Sequence, residues 1–453
     1  MVGRADIIAV LSTLVTSDDF LLMLNLPPVR EIQNMPHFAA LRHRDYRRMW
    51  AANMFSGGAM WTFIVASAWL VLERSDSSGW VGIIAFSGMI PFLIVSPVAG
   101  LMADRLDRRK LAIATFSSSG VVTTLAAALT IAGILELWHL AALAFANGVF
   151  RATQEPAVQA LIPNQVPRED LLNAITLNAA TRHGARFFGL LVASPLLAVD
   201  FIGISGVLVL SAVFQFAGTF QMTSVRTASR GESAPEHGLA RSMVDGLVYI
   251  YTNKTIAIFI LLVAFHCALV MSNDSLLPVF SREELGASDG SILGYLVMAF
   301  GVGSLFGTLF MAGVRNERLK GQMLIWTGIL SGVTPVLFAF SFNVPLALLA
   351  SAGMGASQSV FMALTSTYIQ SVVPDRIRGR ISSLYILHAG GVMAFANLVY
   401  GFMADTLSAP PILFVTGVMF VAVVLSLALG QADLRRMYRT GWVAPTQVGV
   451  GAD

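Results

Sequence analysis

Asn178, Arg182 and Arg186 recur four residues apart in a long apolar stretch, with His183 beside them. On a helix that spacing stacks them on one face, a turn apart. Two like charges on adjacent turns repel, so something anionic belongs opposite them. One reading is an anionic or polar ligand, since the guanidinium fork matches a carboxylate or phosphate. The other is a fixed salt-bridge network between helices. Arg151 and Glu155 have the same spacing, and Pro156 loosens the helix that carries them. They read as an internal pair, or as Glu155 reaching Arg108. A third group holds His266, Asn273 and Asp274, with Pro278 beyond. Asp274 and Glu155 are the candidates to carry a proton. His266 either titrates or is hydrogen-bonded structure. Gln358, Tyr385, His388 and Asn397 read as cavity lining or as polar links between helices.

The elements that must position these groups follow from composition. The chain has 453 residues, of which 56% are apolar and only 12% charged, half the charge of a typical soluble domain. Twelve apolar stretches are long enough to cross a bilayer: 49–73, 79–103, 111–134, 137–160, 170–198, 200–223, 255–281, 288–313, 321–342, 344–370, 377–404 and 409–430. An arginine at mid-membrane costs roughly 2.5–3.5 kcal/mol on insertion scales unless it is paired or hydrated. The three inside these spans must therefore face protein, water or counter-charge.

Lys and Arg assign the sides. If the residues before the first span are cytoplasmic and the spans alternate, all but five of the 29 Lys and Arg fall in cytoplasmic loops and tails. Arg74 and Arg282 fall outside, and Arg151, Arg182 and Arg186 lie within spans. This asymmetry predicts both termini in the cytoplasm. The formal charge of +3 then reflects topology rather than nucleic-acid binding. The single cysteine, Cys267, excludes an intrachain disulfide or a cysteine metal site. Within residues 1–34, "IIAVLSTLV" is interrupted by Asp18, Asp19 and "NLPPVR". It reads as an interfacial segment or as upstream of a start at Met35, without a cleavable signal.

The expected fold is all-α: an integral membrane protein of twelve transmembrane helices in two six-helix halves. The boundaries are 1–48 for a cytoplasmic segment, 49–224 for the first bundle, 225–254 for a linker with an amphipathic surface helix, 255–430 for the second bundle and 431–453 for a cytoplasmic tail. One offset of 207 residues relates the halves, placing Gly100 on Gly307, Gly148 on Gly355, Val166-Pro167 on Val373-Pro374, Leu177 on Leu384 and Gly184 on Gly391. Parallel duplication puts a binding site at the interface of the halves, near mid-membrane. Gly301, Gly303 and Gly307 read as close helix packing.

A knot of charge in "GLMADRLDRRK", Gly100 to Lys110, closes the second span. Asp104 there faces the negative end of its own helix and needs a positive partner. Candidates are Arg105, Arg108, Arg109 and the N-terminus of the eleventh span, whose unpaired N–H groups attract anions. Gly100 would let two helices approach. The mechanical reading is a charge-to-dipole latch on the cytoplasmic face; the plain one is topology-setting charge.

This stretch resembles the loop 2–3 motif of the major facilitator superfamily, mapping onto Gly100, Asp104, Arg105, Arg108 and Arg109, with Asp107 where that family usually has Gly. The second-half counterpart has Met311 in place of the acid, and "VRNERLKG" keeps only bases, so the latch is expected on one side only. "HFAALRHRDYRRMWAANMFS", "LIPNQVPREDLLNAITLNAATRHGARFFG", "LLPVFSREELGA" and "YIQSVVPDRIRGRISSLYIL" are similar to the branch of enterobactin exporters and macrolide efflux proteins. That resemblance implies proton-antiport export of a small organic molecule (drug, siderophore or metabolite) by a monomer among the lipids of a bacterial inner membrane. Import, lipid flipping or a transport-inactive sensor stay open as alternatives. The branch often has Gly-Asp in span one, where this chain reads Gly57-Gly58-Ala59, and Leu190 stands where a proline is expected. No phosphate-binding loop, H-E-x-x-H or nucleophile–base spacing occurs, so neither an ATP-driven pump nor an enzyme is read, and no cofactor or metal.

Overall fold

The computed structural model describes residues 36–227, 229 and 239–441. The segment of residues 1–34 read above lies outside them, as do most of the polar linker, the last residues of the tail and the side chain of Asp104. Every regular element among the described residues is helical. A 3₁₀ turn, Pro36–Arg42, leads into α1 (Arg44–Ser75), α2 (Ser78–Arg105), α3 (Arg108–Ile131), α4 (Leu137–Leu161), α5 (Leu171–Leu197) and α6 (Gly203–Thr223). After the linker come α7 (Leu239–Thr252), α8 (Lys254–His266), α9 (Leu277–Glu283), α10 (Ser291–Ala312), α11 (Glu317–Ala339), α12 (Val344–Val372), α13 (Asp375–Leu407), α14 (Ala409–Gly430) and α15 (Ala432–Thr440).

Among the described residues, ten helices are long and apolar enough to cross a membrane. Helices α4 and α5 have the length, 25 and 27 residues, but carry Arg151, Glu155, Arg182 and Arg186 in their interiors. Local sequence sets the ends. Asp107 caps α3 by accepting from the N–H groups of Arg109 and Lys110, and Asn316 does the same for α11 toward Arg318 and Leu319. The acid in place of the usual glycine thus starts the next helix. Pro345 and Pro410 sit in the first turns of α12 and α14, where no N–H is missed.

Packing repeats along the chain. Helices α2 and α4, α3 and α4, and α3 and α6 pack together, and so do α10 and α12, α11 and α12, and α11 and α14. Gly148 presses on the backbone of Gly88 in α2, and Gly355 presses on Phe300 in α10. Two extensive contacts join α1–α6 to α8–α14: α2 against α13, and α5 against α10.

Two expectations need correction. The stretch 255–281 is not one continuous helix. It turns as α-helix to His266, widens to a π turn at Cys267–Met271, breaks, and resumes as α9. The apolar run masked the break, because side chains on neighbouring helices replace the lost backbone bonds. Second, Gly100 does not bring two helices together: a side chain there would meet nothing within 4 Å.

Candidate functional site

Helix α5 crosses α1 closely enough to bring its polar stripe into the interior. A Cβ on Gly57 would lie 2.5 Å from that of Ala185, and one on Gly189 would lie 2.5 Å from the Gly58 carbonyl oxygen. Gly57-Gly58 forms the contact surface of that crossing. A polar cavity of about 100 Å³ forms beside it, between α1, α4 and α5. Asn53, Trp61, Arg151, Gln154, Glu155, Asn178 and Arg182 line it.

Asn53 donates to Asn178 across the cavity at 3.2 Å. Arg151 and Glu155 face each other at 3.8 Å, a loose internal pair, and Nη1 of Arg151 is buried without a partner. Oε1 of Gln154 is likewise unpartnered. Arg182 is exposed to the cavity and makes no hydrogen bond or ion pair among the described residues. The cavity thus holds two guanidinium groups against one carboxylate, with donor capacity unspent. Buried donors left unmade are costly, so an oxyanion entering here would be stabilised.

Arg186, one turn further along α5, does not share that space. Its guanidinium is sandwiched 4.0 Å from the Trp61 ring and 4.2 Å from the Phe300 ring. Such cation–π contacts are worth about 2 kcal/mol or more when desolvated. Gly301 of α10 makes room for it, since a Cβ there would lie 3.2 Å from the Arg186 stem. The Arg186 guanidinium interacts electrostatically with Asp274 without closing an ion pair. The i, i+4 stripe is therefore split: Asn178 and Arg182 face the cavity, while Arg186 joins α5 to α10. His183 is half-buried and makes no hydrogen bond among the described residues.

The break after α8 forms a second polar centre. Asn273 and Gln358 both donate to the freed carbonyl of Val270, at 2.7 and 2.9 Å. Tyr400 donates to Ala268, and Ser272 to Cys267. Asn397 accepts from the Ser275 N–H. Gln358 and Asn273 are 1% and 5% exposed, so they hold an unwound segment rather than line an open cavity, while Oδ1 of Asn273 and Oε1 of Gln358 stay unpartnered. His266 is fully buried between the Phe361 and Phe420 rings with both ring nitrogens unpartnered. His388 bonds the Leu384 carbonyl and the Tyr251 hydroxyl of α7, tying the linker helix to α13.

The basic residues near residue 105 cap helix ends. Arg108 donates to the carbonyls of Ala103 and Ala160 and to the Ser229 hydroxyl, and Arg109 donates to the Thr223 carbonyl. These contacts gather the last turns of α2, α4 and α6, where positive charge is favourable. Sequence reasoning offered these arginines as candidate partners of Asp104, whose side chain lies outside the described residues; the three carbonyl termini around Arg108 and Arg109 are visible only in the folded arrangement. It also missed Trp61 and Phe300, whose aromatic faces carry no sequence signal for a distant arginine.

A profile of the transmembrane secretion effector family matches residues 35–441. The chain is 23% identical over 344 residues to the multidrug efflux pump Tap of Mycolicibacterium fortuitum, covering 73% of this chain and 82% of that protein. It is 22% identical over 352 residues to the staphyloferrin A transporter of Staphylococcus aureus, covering 76% and 86%. Macrolide efflux protein A of Streptococcus pyogenes is 23% identical over 346 residues, covering 73% and 81%. Among solved structures, a POT family transporter in complex with 5-aminolevulinic acid superposes with a TM-score of 0.69 at 9% identity, covering 86% of this chain and 97% of that one. The nucleoside transporter NupG gives 0.66 at 13% identity, covering 85% and 99%. These two show the fold alone.

Proposed function

We propose that this chain, which belongs to the transmembrane secretion effector family of the major facilitator superfamily, exports a small organic molecule bearing an oxyanion, by alternating access coupled to proton antiport. It is a transporter rather than an enzyme. The reading takes twelve spans in two halves, 49–224 and 255–430, the seventh span being α8, the π turn and α9 together. The termini lie in the cytoplasm of a bacterial plasma membrane. The duplicated packing of α2–α4–α3–α6 and α10–α12–α11–α14 supports the halves.

The observation that carries the substrate class is the cavity charge. Arg182 makes no hydrogen bond or ion pair among the described residues and Arg151 is only loosely held by Glu155 at 3.8 Å, so a carboxylate or phosphate finds two guanidinium groups ready to donate. Asp274, beside Arg186, and Glu155 are the carboxylates through which protons bias the two states. A charge moving down ~100 mV supplies about 2.3 kcal/mol, enough for roughly fifty-fold accumulation.

The test uses proteoliposomes with an imposed proton gradient and carboxylated and aminated forms of one fluorescent dye. The carboxylated form should accumulate. Arg182→Ala and Arg151→Ala should each lower its rate at least tenfold while inserting normally. Equal rates for the two dyes, or full activity in both variants, would remove the oxyanion. Flux indifferent to the gradient would remove proton coupling.

A further inference from the structure

Helices α2 and α13 run antiparallel in extensive contact. Near the start of α2, a Cβ on Gly82 would lie 2.9 Å from the Asn397 carbonyl oxygen, and one on Gly401 would lie 2.5 Å from the Ser78 carbonyl oxygen. The rings of Phe86 and Phe395 meet at 5.2 Å, and Gly391 still meets Leu93. An apolar groove of about 560 Å³ runs along α13 beside this contact, lined by Leu93 of α2 and by Leu387, His388, Phe395, Val399 and Tyr400 of α13. Further along α2, Gly100 has no neighbour within 4 Å.

The closed end is held by Asp405, in the last turn of α13. Its carboxylate accepts from the Ser77 hydroxyl at 2.7 Å, from the N–H of Gly79 at 3.1 Å and from the N–H of Ser78. Ser77 in turn caps the N–H of Trp80. The unpaired donors at the start of α2 are thus satisfied largely by an acid from another helix, placed at the positive end of the dipole. Gly79 permits this approach, because a Cβ there would strike Phe402 and the Asp405 carboxylate.

The sequence around Asp405 is a second copy of the knot at the far end of α2. Residues 100–106 read GLMADRL and residues 401–407 read GFMADTL. Each copy ends one helix of the antiparallel pair, so the copies lie at opposite ends of it. The counterpart of the Asp104 motif is therefore at the end of α13 rather than between α10 and α11, where the acid is lost.

We infer that Asp405 is a positioning residue for transport: it latches α13 onto the N-terminus of α2, holds the pair shut at the end opposite the basic loops, and exchanges with the Asp104 copy as the molecule changes state. An antiparallel pair that rocks about its middle cannot be drawn tight at both ends, so closing the Asp104 end requires leaving the Asp405 end. The inference rests on the alternating-access reading above, and its test reads conformation rather than flux.

Cys267 is replaced by Ala, and spin labels are placed at Glu73 and Thr406 near the Asp405 end and, separately, at Lys110 and Gln370 near the Asp104 end. Asp405→Asn should raise the long-distance population of the first pair and the short-distance population of the second, each at least twofold. Asp104→Asn should shift both populations in the opposite sense. Gly79→Ala, which crowds the latch while leaving the acid, should act like Asp405→Asn, and Asp405→Glu should return the distributions toward wild type. Unchanged distributions in Asp405→Asn, or a shift in the same sense as Asp104→Asn, would overturn the inference. Loss of dye transport with wild-type distances would count against it while leaving the oxyanion reading intact.

Discussion

Arg182 and Arg186 have the same chemistry and sit one turn apart, yet they do different work. Arg182 keeps its donors for the cavity. Arg186 spends its positive face on Trp61 and Phe300, and this fastens α5 to α10. A lysine cannot replace it: the ammonium lacks the planar face that stacks between two rings. Arg186→Lys should therefore lower the thermal unfolding midpoint in detergent, by an amount matching about 1–2 kcal/mol. Arg186→Ala should cost more, because it also empties a packed space. Trp61 fluorescence should change in both variants; an unaltered spectrum would remove the stacking.

At the scale of elements, the break after α8 is the departure from regular structure with the most partners. An unsatisfied carbonyl within a membrane costs several kcal/mol, and here side chains from three elements supply the donors. Val270 receives two of them. Gln358→Leu should be mild, about 1 kcal/mol, because Asn273 remains. Gln358→Leu combined with Asn273→Ala should cost clearly more than the sum of the single changes, since the carbonyl is then orphaned. Thermal unfolding of the four proteins closes this cycle; additive losses would show that the two amides do not share a role. Asp274 lies in the same break, so loosening it should also slow dye transport.

At the scale of the whole molecule, the helices form two packed groups joined along α2–α13 and α5–α10. The basic residues after α2 are structural parts: Arg108 and Arg109 draw together the last turns of α2, α4 and α6. Lys110→Cys, in a chain with Cys267 replaced, should resist a membrane-impermeant maleimide in intact cells and react after permeabilisation. Glu73→Cys should react in both. The reverse pattern would invert the proposed topology.

Much of this was legible in the letters. Hydropathy and length announce long apolar helices because a bilayer demands them, and the spacing of Arg151 with Glu155 anticipates a contact that helix geometry makes unavoidable. The interruption of 255–281 was not legible, because two of the donors that replace its backbone bonds, Gln358 and Tyr400, come from residues more than eighty positions away. Nor was the division of labour between Arg182 and Arg186, which depends on where α10 lies. Sequence by itself determined the helices, their membrane-crossing character being fixed by local apolar area, and which side chains are too polar to face lipid. Tertiary structure alone decided which of those polar groups are spent on holding helices together and which stay free, because a partner's identity depends on packing between segments distant along the chain.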